Sequence, residues 1–266
     1  MGSIKIKHSY NAGDLISIMP GLRQLYRDTG RKVQVYQRIG LEAFYFDNQI
    51  NSTLDDKGTS VCMNERLYNL LKPLVEAQSY IEGMEKWEGQ GVDLDYDATR
   101  DRKSIPLPYG LIHTWGEAVF PQTSTDLSIP WISVEPNRAY IDKIIISRTQ
   151  RYTNPYMTYF FLKDHEDKLV FSGTEAEHEL FCKANNLNIE LIKAENFLEL
   201  AAAMSVCAFV ISNQTLAWHI ADGLKAPRIL EVCQTFPNTF ATGANGYHAF
   251  GQAAMEYYFK RLIDKT

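Results

Sequence analysis

Asn11-Ala12-Gly13-Asp14-Leu15-Ile16-Ser17-Ile18-Met19-Pro20-Gly21-Leu22-Arg23 decides the fold. Before it stands Ile4-Lys5-Ile6-Lys7-His8, where β-branched residues at alternate positions predict a strand. After it, apolar spacing continues through Leu25 and Tyr26 and predicts a helix. A glycine and a carboxylate therefore occupy a strand-to-helix turn. In open parallel α/β sheets such turns sit at the carboxyl ends of the strands, where ligands bind. Asp14 then has two readings. It caps the helix, since a carboxylate favours the positive end of the helix dipole, or it stands where a general base would stand.

The same alternation runs along the chain. Lys32–Tyr36 reads as strand, and Glu65–Leu74 carries Leu67, Leu70, Leu71 and Leu74 at helical spacing. Gln78–Ile81 and Val92–Tyr96 read as strands, and Tyr109–Phe120 as loop and helix. Pro121–Pro136 holds three prolines and reads as a linker. Ile141–Ser147 opens a second set, with strands at Leu169–Ser172, Ile189–Ile192, Phe209–Ser212 and Arg228–Val232 and helices between them. Such alternation predicts an α/β chain of two Rossmann-like domains facing across a cleft. Residues 1–135 are expected to form the first domain and 136–248 the second. An amphipathic helix within 249–266, from Phe250 to Leu262, is expected to pack back toward the first domain.

Composition narrows the class. The 266 residues suit two domains of common size, and 45% apolar content suits two cores. A net charge of −5 gives no whole-protein attraction to nucleic acid or anionic membrane. No apolar run approaches the ~20 residues that cross a bilayer, and Lys5 and Lys7 precede no long apolar region, so no signal peptide is expected. Cys62, Cys182, Cys207 and Cys233 are widely spaced without a C-x-x-C pair. That spacing argues against a zinc site or disulfide framework and for reduced thiols in the cytoplasm.

Asp93-Leu94-Asp95-Tyr96-Asp97 invites a metal reading. A calcium loop fails, because Ala98 and Ser104 stand where glycine and glutamate are needed. Acids at alternate positions describe the polar face of an edge strand, so no metal is expected. Phosphate chemistry has better candidates. Ser147-Arg148-Thr149-Gln150-Arg151-Tyr152 follows a strand and offers two guanidiniums, which bind phosphate oxygens bidentately; the alternative is a solvated loop. Ser172-Gly173-Thr174 and Asn213-Gln214-Thr215 are further strand-to-helix turns, whose amides suit anions. His219 follows Thr215 at i+4, so both share a helix face; a core histidine beside Trp218 is the alternative.

Gly13-Asp14, Pro20, Leu22-Arg23 and Leu25 resemble the opening of the lipopolysaccharide heptosyltransferases, glycosyltransferase family 9, where the pattern reads roughly Gly-Asp-x-Leu-x-x-x-Pro-x-Leu-Arg-x-Leu. Later stretches resemble the same family in order: Leu169 to Glu177, Phe197 to Met204, Cys207 to Ser212, Asn213 to Ala221, and Gly223-Leu224-Lys225-Ala226-Pro227. Thr215, His219, Ala221 and Pro227 keep register, while Gln214 replaces an aspartate and Leu216 a glycine. The resemblance implies the GT-B arrangement and inverting, metal-independent transfer from a nucleotide diphosphate sugar, with no cofactor. It implies Asp14 as the base that deprotonates the acceptor, with Asn11, Gly13 and Arg23 on the acceptor side. Arg148, Thr149, Arg151, Gly173, Thr174, Asn213, Gln214, Thr215 and His219 would hold the donor. The implied acceptor is a glycan or lipopolysaccharide-type sugar. A hydroxymethylated DNA base or nucleoside is an alternative, for which Arg100, Arg102 and Lys103, or Arg23, Arg27, Arg31, Lys32 and Arg38, would supply cations. Further alternatives are a sugar-nucleotide epimerase or hydrolase using His8 or His113, and a non-catalytic sugar-nucleotide-binding protein.

Overall fold

The computed structural model describes residues 2–43, 53–100 and 111–266. Arg102, Lys103 and the start of the Tyr109–Phe120 segment lie outside them. The chain divides into two compact units, one running to Leu127 and including Asn196–Leu198, the other comprising Ser128–Glu195 and Glu199–Thr266.

The elements of the first unit are β1 (Ile4–His8), α1 (Ala12–Thr29), β2 (Val33–Gln37), α2 (Glu65–Glu76), β3 (Ile81–Lys86), β4 (Leu94–Asp95) and α3 (His113–Val119). The strands form one parallel sheet in the order β3-β2-β1-β4. Ile6, Val33 and Val35 of the sheet and Leu15, Ile16, Met19 and Leu22 of α1 are all buried. Pro20 sits inside α1, and the next residue is pressed against Thr123: a Cβ on Gly21 would stand 2.8 Å from the Thr123 Cβ. The strand expected at Gln78–Ile81 starts only at Ile81. The helix before it outlasts its leucine spacing, and Gln78 still closes it by donating from Nε2 to the Leu74 carbonyl at 2.8 Å.

The second unit continues with β5 (Ile144–Ser147), β6 (Leu169–Phe171), α4 (Glu175–Asn185), β7 (Glu190–Leu191), α5 (Phe197–Met204, whose first two residues belong to the first unit), β8 (Phe209–Ser212), α6 (Leu216–Leu224), β9 (Arg228–Glu231), β10 (Gly246–Ala249) and α7 (Gln252–Ile263). Its parallel sheet has the order β10-β9-β8-β5-β6-β7. Every residue of β5, β8 and β9 is buried, the pattern of parallel strands covered on both faces. The edge strand β10 was not expected, since Gly-Tyr-His-Ala has no apolar alternation; pairing with β9 makes it a strand. The helix expected to pack back toward the first domain is built into the second unit. Met255, Phe259 and Leu262 of α7 join Ile144, Phe209 and Ile229 in its core. No helix among the described residues is long and apolar enough to cross a membrane.

Candidate active site

Asp14 occupies the third position of α1, directly after β1. Its Oδ2 accepts from the Asn11 amide at 3.1 Å and from Asn11 Nδ2 at 3.3 Å, which closes the first turn of the helix. Its Oδ1 receives Arg100 Nη2 at 2.7 Å, and the carboxylate keeps 13% of its surface exposed. Asp14 is therefore a cap, and it is also an oriented carboxylate at the mouth of a parallel sheet. Gly13 and Asn11 belong to the same turn. Arg23 does not: it lies nine residues further along α1, about 14 Å of helix rise away. There burial lowers its pKa, with Tyr80 and Asp126 pulling upward and Arg27 downward.

His8 closes β1 beside this corner and is almost wholly buried. Gln37 Nε2 donates to the carbonyls of Arg38 (2.9 Å) and Tyr10 (3.4 Å). The Gln37 oxygen is thus left to accept from His8 Nδ1 at 2.8 Å, which makes Nδ1 the protonated nitrogen. Burial lowers the His8 pKa; Gln37, Asp14 and Asp97 oppose that shift and Arg100 adds to it. A neutral histidine that can protonate only on unfolding contributes stability that is whole above its ordinary pKa of about 6.5 and lost as pH falls toward the folded value. His248 shifts the same way, so a variant is needed to isolate His8. Urea unfolding between pH 5 and 8 is expected to show a shallower acid loss in His8→Asn than in the parent chain, and parallel curves would refute this.

The acids in and around β4 are not simply a solvated face. Asp95 Oδ2 and Asp97 Oδ2 bracket Lys7 Nζ at 3.0 and 2.7 Å, Asp97 also accepts from Ser9 Oγ, and Asp93 accepts from the Lys5 amide. Burial alone would lower the Lys7 pKa; the pairs with Asp97 and Asp95 outweigh it and raise it. An ammonium thus occupies the position between these carboxylates. Among the described residues no three His, Cys, Asp or Glu side chains are grouped to hold a metal. Each cationic cluster has one described member engaged locally: Arg100 pairs with Asp14, and Arg31 donates to the carbonyls of Gly2 and Ser3. His113, at the start of α3, lines a cavity of about 10 Å³ with Tyr96 and Thr123, room for one water at most.

In the second unit, the turns after β5, β6, β8 and β9 share the carboxyl edge of four adjacent strands. Arg148 sends Nε and Nη2 to the two oxygens of Glu231, at 2.7 and 3.0 Å. Glu231 is fully buried and also accepts from Tyr159 Oη and the Asn154 amide, each at 2.5 Å. Burial would lower the Arg148 pKa, and Glu231 overrides it upward. Asn213 accepts from the Thr149 amide and donates to the carbonyls of Thr149 and Arg151, tying two turns together. Gln214 accepts from the Cys233 amide while donating to the Phe236 carbonyl and Asn238 Oδ1. That bridge needs a donor and an acceptor on one side chain, which the aspartate of the resembled pattern lacks. The Thr215 hydroxyl pairs with Ser212 Oγ at 3.0 Å. Thr215 and His219 are both buried, so the shared helix face is turned largely inward.

The two turn helices differ as anion sites. At α4, Glu177 accepts from the Thr174 amide (2.9 Å) and hydroxyl (3.0 Å), so a carboxylate already fills that terminus beside Gly173. At α6, Thr215 makes no side-chain cap among the described residues. The α6 amides therefore suit an external anion better.

No family model matches the sequence, and no curated protein matches it. Solved structures do. A glycosyl transferase family 9 from Veillonella parvula aligns with a TM-score of 0.59 at 12% identity, over 98% of this chain and 91% of that one. The E. coli heptosyltransferase WaaC with ADP gives 0.61 at 9% identity, over 98% and 99%. The E. coli ADP-heptose lipopolysaccharide heptosyltransferase II gives 0.58 at 11%, over 100% and 99%. The fold is the GT-B fold of glycosyltransferases.

Within this GT-B chain the structure gathers Asn11, Gly13 and Asp14 at one sheet, and Arg148, Thr149, Arg151, Asn213, Gln214 and Thr215 at the edge of the other. Sequence reasoning missed Arg100 as the partner of Asp14 and Glu231 as the partner of Arg148. The signal for Glu231 was available, since a lone acid closes the apolar strand Arg228-Ile229-Leu230-Glu231. Arg100 carried no such signal.

Proposed function

We propose that this chain is an inverting, metal-independent glycosyltransferase that moves a sugar from a nucleotide diphosphate sugar to an acceptor hydroxyl. The observation that carries the reading is the Asp14 carboxylate, held by Asn11 and Arg100 at the carboxyl end of β1 in a fold shared with heptosyltransferases. Asp14 takes the hydroxyl proton as the acceptor oxygen attacks the anomeric carbon, and the bond to the diphosphate breaks on the opposite face. The leaving charge is met by the α6 amides and the Arg151 guanidinium, an electrostatic contribution that is often the largest in such reactions. Arg148, Asn213 and Gln214 hold those turns in place. A nucleotide diphosphate donor is supported by the ADP bound to WaaC. We favour a glycan or lipopolysaccharide-type acceptor over a DNA base, because Arg31 and Arg100 are engaged within the chain. Four free thiols fit a reducing cytoplasm.

The test is a panel of nucleotide diphosphate sugars, scored by thermal shift and by release of nucleoside diphosphate with and without EDTA. Stabilisation and EDTA-insensitive release by one donor are expected. No shift with any donor would sink the transferase reading, and EDTA-sensitive release would overturn its metal independence.

A further inference from the structure

Arg100 ends the short 3-10 turn Tyr96–Arg100 that follows β4. Its guanidinium lies over two aromatic rings, with Cζ 4.9 Å from the Tyr10 ring centroid and 4.6 Å from that of Trp115. One edge of the fork reaches Asp14 Oδ1 at 2.7 Å, with 25% of the Arg100 side chain exposed. Each ring is itself anchored. Trp115 is buried on α3, and Tyr10 Oη reaches the Asp97 carbonyl at 3.4 Å. A surface arginine loses rotamer freedom to make such a pair. Here contact with two rings has already restricted it, because a planar guanidinium held over aromatic faces is pre-organised.

We propose that Arg100 is a positioning residue, clamped by Tyr10 and Trp115, that sets the direction and the charge state of the Asp14 carboxylate. Asn11 holds one oxygen of Asp14 from within the helix, and Arg100 holds the other from a different element. The carboxylate plane is thereby fixed from two sides. A guanidinium at that distance favours the ionised form, the form that a base needs before it accepts a proton. The inference rests on the transferase reading for its catalytic meaning, and on geometry alone for the pair. Among the described residues, the other titratable or charged groups facing this corner are His8 at the end of β1, Tyr10 after it, Asp97 on the Arg100 turn with its partner Lys7, His113 on α3, and Cys62. Of these, Tyr10 is pushed up to about 12 by burial, with Asp97 adding and Arg100 opposing, so it stays protonated at neutral pH.

The experiment titrates Asp14 by its carboxyl carbon resonance, assigned with Asp14→Asn, in the full chain and in Arg100→Met. The midpoint is expected to rise by roughly one unit or more when the guanidinium is removed. Arg100→Gln keeps a planar donor without the charge and gives the same reading should the methionine variant not fold. In the donor assay, kcat of Arg100→Met is expected to fall on the order of 10²-fold through misplacement of the base. Donor KM is expected to hold, and the acid limb of kcat/KM to move with the Asp14 midpoint. An unmoved midpoint overturns the pair. A moved midpoint with an unmoved acid limb overturns Arg100 as a positioning residue for the base. A parent chain that turns over no donor sinks the transferase reading, while the resonance titration still judges the pair.

Discussion

Asp14→Asn is expected to lower kcat by about 10²–10⁴-fold, the usual worth of positioned proton transfer, while leaving donor affinity within a few-fold. The substitution keeps shape and one oxygen, so the Asn11 amide still finds an acceptor at the first turn of α1. It removes the basic carboxylate and the charge facing Arg100. The loss at the helix dipole is only about 0.3–1 kcal/mol, so melting is expected to change little and the activity loss to stand apart from unfolding. Single-turnover release of nucleoside diphosphate, with donor affinity measured by calorimetry, separates the two. Activity within tenfold of the parent would move the base elsewhere.

The largest effect on stability is expected at Asp222, outside both proposed binding regions. Asp222 and Arg228 are fully buried and joined through Arg228 Nε at 2.8 Å and Nη2. Asp222 also accepts from the amide and hydroxyl of Thr242, at 2.9 and 2.6 Å. Lys225 reaches the same threonine and lies 4.0 Å from the Trp131 ring centroid. Burial lowers the Arg228 pKa and Asp222 pulls it back up, so the pair is the arrangement that lets a guanidinium remain charged there. Asp222→Ala leaves that charge without its counterion, and such losses run at about 3–5 kcal/mol. For a domain stable by about 5–15 kcal/mol that is about a fifth of the total or more. Replacing both members, as in Asp222→Leu with Arg228→Met, is expected to recover a large part of it, because an apolar pair carries no desolvation cost. Urea midpoints of the parent, single and double variants decide the matter. A single variant within 1 kcal/mol of the parent would show that water or rearrangement satisfies Arg228.

The sequence by itself determined the local structure and the fold class. Strand β1, the turn at Gly13-Asp14, helix α1 and strand β8 follow from periodicity and near neighbours, which act through backbone geometry within a few residues. Alternation of such segments also implied two parallel sheets, since parallel strands need a crossover between them. What each polar side chain does was decided only by the tertiary structure. Arg148 reads as a phosphate ligand from its own loop, yet it grips Glu231, 83 positions away, because β8 lies between the strands that carry them and brings their carboxyl ends together. Arg100 reads as one member of a basic cluster, and pairing of β4 beside β1 turns it into the partner of Asp14. Gln214 reads as a departure from a family pattern, and the chain return at Cys233 to Asn238 makes an amide the side chain that fits. Sheet order sets these meetings, and order depends on packing across the whole chain, so no local window of sequence contains it.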